Sequence, residues 1–288
     1  FTINAMAYSA EEGLCDPFGG QEDLARGVVR AVGEPLRRFE EDALRILRLY
    51  RFAARFGFVI DEATEAAAKR LAAHLDCVSV ERIEEELNKL LSAPKPGAYL
   101  EPEVLAFVLP ELPLDYLSEA REIIDALPAG GEEVTTRWAA LLLPLGEDET
   151  RKALKRLKCS NAVIDGVATL VKEKAPRTLP STLQAKRLLG KYDLHTVQQL
   201  TALWSALQPE RKDEFTVLQK EAETLTAQNA CCRVSQLAVN GRDLMAAGVA
   251  PGPGLRRVLE ALLEEVITGR LPNEKAELLA FAAKFSAS

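Results

Sequence analysis

The 288-residue chain predicts a mainly α-helical protein, an elongated curved array of short helices with a small strand-bearing segment at its front. Three observations carry this. From about Leu36 onward, apolar residues recur with the spacing of amphipathic helices. Gly, Pro and cap residues divide that stretch into short pieces. Only the β-branched run Val28 to Val32 reads as strand.

The first thirty or so residues mix turn punctuation with extended runs, like the trailing edge of an α/β domain. Pro17-Phe18-Gly19-Gly20 composes a tight turn, and Gly33 and Pro35 mark a boundary. One helix is then expected from Leu36 to Phe56, capped by Gly57. Asp61 or Thr64 starts an Ala-rich helix running through Ala73, and Ser79 is a fitting N-cap for Val80 to Leu91. Pro94-Lys95-Pro96-Gly97 ends this layer. Helices follow over 101–109, 116–127, 135–143, 149–158 and 161–174, the last with Ser160 as cap and Pro176 as stop. Further helices cover 182–190, 196–207 and 209–227, and a Pro/Gly turn at 248–254 leads into another carrying Leu255, Val258, Leu259 and Leu262.

Bulk properties narrow the function. Nearly half the residues are apolar, yet no run approaches a membrane span, and no secretory leader opens the chain. Five cysteines, Cys15, Cys77, Cys159, Cys231 and Cys232, fit no Cys-x-x-Cys metal spacing and point to free thiols in a reducing cytoplasm. The net charge of −7 argues against a surface that binds nucleic acid everywhere, but leaves room for a local basic track. Arg45/Arg48/Arg51/Arg55, Lys152/Lys155/Arg156/Lys158, Lys186/Arg187/Lys191 and Arg256/Arg257 are the candidates. His74 and His195 are the two histidines, and neither has a Ser or Cys partner in a nucleophile context.

Chemistry concentrates in Asp42, Arg45, Arg48 and Arg51. On a continuous helix each step of three climbs about 4.5 Å and turns back by roughly 60°, so the row covers about 13 Å, the length of a nucleotide. A carboxylate only accepts hydrogen bonds and a guanidinium only donates them. Asp42 beside Arg45 therefore suits the exocyclic amine and ring nitrogen shared by cytosine and adenine, and disfavours guanine and uracil. Arg48 and Arg51 would serve phosphate oxygens. The competing reading is a surface ion pair worth a few tenths of a kcal/mol on a solvated helix.

The neighbourhood favours the nucleotide. Phe1-Thr2-Ile3-Asn4-Ala5-Met6-Ala7, Asp16-Pro17-Phe18-Gly19-Gly20, Val28-Val29-Arg30-Ala31-Val32-Gly33-Glu34-Pro35 and Arg38-Phe39-Glu40-Glu41-Asp42 follow in order. Val78-Ser79-Val80-Glu81-Arg82-Ile83 and Leu237-Ala238-Val239-Asn240-Gly241-Arg242-Asp243-Leu244 come later. Together they closely resemble the class II tRNA nucleotidyltransferase and bacterial poly(A) polymerase family, over most of the chain outside about 112–179. The resemblance implies transfer of CMP and AMP from CTP and ATP to a tRNA 3′ end, with Mg²⁺ ions assisting an in-line displacement. By motif match, Asp42 and Arg45 read the base while Arg48 and Arg51 contact the nucleotide.

There are departures. The family's catalytic head carries Gly-Gly-x-Val-Arg-Asp and a metal-binding Asp-x-Asp, neither of which is in this sequence. Phe1 falls directly after where the family places Arg-Arg-Asp. The resemblance thus implies a chain lacking most of its head, with no catalytic or metal-binding residue of its own, inactive alone, its Mg²⁺ ligands belonging to the head. Asp16 and Asp23 sit in turn contexts and do not replace them. Arg137-Trp138 to Gly146 resembles a phosphohydrolase helix of related enzymes, but Leu143-Pro144 stands where those place His-Asp, which argues against a hydrolytic metal site.

The expected organisation is a head remnant over 1–33, a base-selecting neck over 34–93, a helical body over 97–178 and an RNA-binding tail over 179–288. Arg256 and Arg257, in the first turn of the helix after the Pro/Gly turn, are where the macrodipole disfavours cations, a pattern that suits an external phosphate. The leading expectation is a CCA-adding enzyme whose partners are tRNA and nucleoside triphosphates. A poly(A) polymerase, an A-adding or CC-adding enzyme, a head-less RNA-binding fragment and a helical protein scaffold are the alternatives. Nothing in the sequence fixes an oligomeric state.

Overall fold

The computed structural model describes residues 1–11, 13–131 and 134–285. They form two compact units, Phe1–Lys174 and Ala175–Ser288. Helices dominate both, as the sequence pattern predicts, and strands are confined to two short pairs near the front.

In the first unit β1 (Ala7–Ser9) and β2 (Gly13–Cys15) pair antiparallel with Tyr8 opposite Leu14. The Asp16 carboxylate then accepts the backbone N–H groups of Gly20 and Gln21 at 2.7 and 2.8 Å and so starts α1 (Gly20–Arg26). Asp23 is not in a turn, as expected, but inside α1. There its buried carboxylate accepts the Thr2 hydroxyl at 2.7 Å and pairs with Arg30 at 3.2 Å. The predicted strand over 28–32 shortens to β3 (Val28–Val29), parallel to β4 (Val59–Ile60).

The expected single helix from Leu36 to Phe56 is two helices, α2 (Pro35–Glu41) and α3 (Leu44–Phe56). Asp42 between them is extended, at φ −154° and ψ 99°, and its Oδ1 accepts the Leu44 N–H at 3.3 Å. Aspartate competes for backbone groups in this way and favours helix ends over interiors. Gly57 closes α3 at φ 67°, the left-handed cap a Gly best supplies.

Asp61 caps α4 (Glu62–Arg70) through the Thr64 N–H at 3.1 Å. Ser79 occupies the N-cap of α5 (Val80–Leu91) but makes no side-chain cap bond. Next come α6 (Pro102–Val108), α7 (Leu117–Ala126), α8 (Val134–Leu142), α9 (Gly146–Arg156) and α10 (Asn161–Lys172), the last capped by Ser160. Leu44, Ile46, Leu47, Leu49, Ala53 and Ala54 bury one face of α3, against which α5 packs. That leaves Arg45, Arg48 and Arg51 on the other face.

The second unit holds α11 (Thr182–Lys191), α12 (Leu194–Leu207), α13 (Lys212–Ala227), α14 (Gly241–Ala246), α15 (Pro253–Ile267) and α16 (Lys275–Phe285). Val239, Leu244, Val258, Leu262, Leu278 and Ala282 form a core shared by α14, α15 and α16. Among the described residues no helix is long and apolar enough to cross a membrane.

Candidate functional site

A cleft of about 480 Å³ lies along the solvent side of α3. Arg45, Arg48 and Arg51 all line it, whereas Asp42, the fourth member of the expected row, is not among its lining residues. Arg38 from α2 and Lys89 from α5 add two more cations, and Glu86 is the acid among the lining residues. Phe39 and Phe52 supply apolar wall, and the Arg51 guanidinium sits 4.1 Å from the centre of the Phe52 ring. Flat apolar surface beside clustered guanidinia suits an anion carrying an aromatic ring.

The ion pairs differ from those the spacing implies. Asp42 is not a helical neighbour of Arg45, because the helix breaks between them. Instead, Arg82 Nη2 from α5 lies 3.4 Å from both Asp42 oxygens, and Arg48 Nη1 lies 4.0 Å from Oδ2. Arg45 Nη1 donates to the Arg38 carbonyl at 2.9 Å and to Glu41 Oε2 at 3.0 Å. That bond holds the Glu41 carboxyl below its ordinary pKa. Arg48 Nε donates to Glu86 Oε1 at 3.2 Å, and Arg51 Nε lies 2.7 Å from Glu86 Oε2, too bent for a hydrogen bond. Burial lowers the Arg51 pKa and the Glu86 charge opposes it.

Arg38, Glu86, Lys89 and Phe52 escaped the sequence reading. Arg38 belongs to α2, across the break at Asp42 from α3, so helical spacing does not point to it. Glu86 and Lys89 come from a helix far along the chain, and nothing in the spacing of Asp42 to Arg51 points to them.

Several of the other basic groups pair with acids. Lys152 pairs with Glu149 at 2.6 Å, Arg156 with Glu111 at 2.6 Å and Lys158 with Glu81 at 2.5 Å. In the second unit Lys186, Arg187, Lys191, Arg233 and Arg256 line a depression of about 800 Å³. Arg256 is highly exposed and pairs with Glu260 at 2.8 Å, while Arg187 pairs with Glu264 at 2.7 Å. Arg257 is exposed, but is not among the described residues lining that depression. Among the described residues no three His, Cys, Asp or Glu side chains converge as a metal site.

Comparison with known proteins identifies the family. Residues 131–282 match the family model for tRNA nucleotidyltransferase domain 2, and 57–113 match one described as "Probable RNA and SrmB- binding site of polymerase A". The CCA-adding enzyme of Limosilactobacillus reuteri is 35% identical over 290 residues, covering 97% of this chain and 68% of that protein. That of Streptococcus mutans is 33% identical over 295 residues, covering 99% and 70%. The crystal structure of the Bacillus stearothermophilus CCA-adding enzyme in complex with CTP superposes with a TM-score of 0.80 at 29% identity, covering 100% of this chain and 72% of that one. The Thermotoga maritima CCA-adding enzyme complexed with tRNA shares the fold, with a TM-score of 0.71 at 23% identity over 99% of this chain and 72% of that one. The chain belongs to the class II tRNA nucleotidyltransferase family, that of the CCA-adding enzymes.

Proposed function

We propose that this chain selects the incoming nucleotide and holds the tRNA in an enzyme that adds C and A residues to the tRNA 3′ end from CTP and ATP. The observation that carries the reading is the cleft on α3, where Arg38, Arg45, Arg48, Arg51 and Lys89 converge beside Phe52. Five cations against one buried acid make a site for a polyphosphate, and the length of the Arg45–Arg51 row leaves room for a base. Likeness to an enzyme crystallised with CTP supports it.

Asp42 and Arg45 read the base in this proposal. Arg45 must first leave Glu41, an exchange that costs little because both side chains are more than one-third exposed. Asp42, held by Arg82 and Arg48, keeps its acceptor character. Mg²⁺ chemistry is assigned to carboxylates outside this sequence, so the 288 residues alone are expected to bind without turnover. We retain the functional division into head remnant 1–33, neck 34–93, body 97–178 and tail 179–288. We place the protein in the cytoplasm, in keeping with its free cysteines.

The test is nucleotide-resolution extension of a tRNA lacking its 3′ CCA, with Mg²⁺, CTP and ATP. Growth by three nucleotides establishes CCA addition and refutes the assignment of the metal ligands elsewhere. Binding of tRNA without growth supports the division of labour, and absence of both CTP and tRNA binding refutes the reading. The match over 57–113 keeps a poly(A) polymerase as second reading; it predicts ATP binding without CTP binding. Arg45→Ala should erode preference for CTP and ATP over UTP and GTP, and retained preference would remove Arg45 from base reading.

A further inference from the structure

The α5 stripe that faces the core contains Ile83, Leu87, Leu90 and Leu91, all buried. Glu86 falls on the same stripe and is only 4% exposed. A carboxylate at such a position is costly unless its charge is answered. Here Arg48 and Arg51 of α3 answer it together, at 3.2 and 2.7 Å.

In each pair the arginine nitrogen nearest Glu86 is Nε, which leaves Nη groups of both residues outside the pair, and both arginines line the cleft. The face of the Phe52 ring packs against Arg51, 4.1 Å from its guanidinium carbon. Arg48 Nη1 also approaches Asp42, whose other partner, Arg82, stands one turn before Glu86 on α5. One helix thus holds the selecting groups at two points.

We propose that Glu86 is a positioning residue, setting the spacing and orientation of Arg48 and Arg51 so that their Nη ends form a preformed clamp for the phosphates of the nucleotide. This rests on reading the cleft as a nucleoside triphosphate site. A fixed pair of donors loses less freedom on binding than two long mobile side chains. Glu86 itself contacts no phosphate. Its two arginines still leave the clamp with net positive charge.

Equilibrium binding to the full chain tests this, with CTP, inorganic tripolyphosphate and tRNA as probes. Glu86→Gln should weaken CTP and tripolyphosphate about tenfold, as expected when a charge-assisted contact is lost, while tRNA affinity stays the same. Glu86→Asp keeps the charge but draws it back by one methylene, and should give an intermediate loss; it also serves if the Gln variant folds poorly. Unchanged or tighter tripolyphosphate binding in a folded variant overturns the role of Glu86 and leaves the nucleotide reading intact. Equal weakening of tRNA and tripolyphosphate also overturns it, since that marks a general structural defect. Failure of the unaltered chain to bind CTP, ATP or tripolyphosphate defeats the nucleotide reading, and the clamp with it.

Discussion

Arg82 on α5 holds the carboxylate of Asp42, with its Nη2 3.4 Å from both oxygens across a sequence separation of 40. Asp42 is only 27% exposed in its side chain, whereas Arg82 is 49% exposed. The pair therefore orients an acceptor at the break between α2 and α3 rather than stabilising the unit. Exposed pairs of this kind contribute about 0–1 kcal/mol.

Arg82→Ala should accordingly leave thermal stability nearly unchanged while freeing Asp42 to rotate. If Asp42 reads the base, preference for CTP over UTP falls by several-fold and tripolyphosphate affinity does not move. Competition binding measures both. Unaltered preference would show that Asp42 needs no support from α5.

How much of this was legible beforehand follows from the range of each interaction. The caps at Gly57, Asp61 and Ser160 are local backbone chemistry; the sequence names Gly57 and Ser160 outright and Asp61 as one of two candidates with Thr64. The period of three brings Arg45, Arg48 and Arg51 along α3, but the row turns by about 60° per step, and residues of α2 and α5 complete the cleft that takes in all three. The break at Asp42 was not legible, because the apolar period runs through α2 and α3 in near-register and hides the two residues between them. Glu86 was equally hidden. A Glu at an apolar position looks like an irregularity until the cations opposite it, 35 and 38 residues earlier in sequence, are in place.

Arg137 makes a second prediction, about stability. Its guanidinium is fully buried and donates to the carbonyls of Leu91, Ala93, Pro94 and Leu127, closing the C-terminal end of α5 against the start of the next layer. Arg137→Met keeps most of the volume and removes every donor. Buried carbonyls left without partners cost about 1–3 kcal/mol each, so a loss of about 3 kcal/mol or more is expected. Urea denaturation followed by Trp138 fluorescence in a Trp204→Phe background reads it. A midpoint within error of the parent would mean that water replaces the guanidinium.

Thiol reactivity gives a third. Burial pushes the Cys159 thiol up to about 12, whereas Cys15 and Cys77 are exposed. The thiolate is the nucleophile, so at pH 8 only about one Cys159 in ten thousand is reactive. Because the folded pKa is raised, reactivity grows with pH and stays low throughout the range below 12. A disulfide-exchange reagent at pH 8 should modify Cys15 and Cys77 first and Cys159 only with unfolding. Mass mapping of the modified peptides decides, and early labelling of Cys159 would show that α9 and α10 open readily around it.

Arg256 and Arg257 carry the last prediction. Their helix, α15, buries Val258 and Leu262 and leaves both arginines exposed where its first turn passes into the second. Arg256 finds its own counter-charge in Glu260, at 2.8 Å, but an 85% exposed side chain can trade that partner for a phosphate at little cost. Lys152 in the first unit is a matched control, since it too is exposed and paired, with Glu149 at 2.6 Å. If the tail follows the RNA backbone, Arg256→Ala with Arg257→Ala weakens tRNA binding and lowers the dependence of log affinity on log salt by about one to two, because each released counterion contributes close to one. Lys152→Ala should change neither quantity. Affinity measured across a salt series separates the cases: a slope unchanged in the double variant removes this turn from the RNA path, and a drop in the Lys152 variant about half that of the double variant, one charge against two, means that net charge alone, not the place of these two arginines, sets the binding.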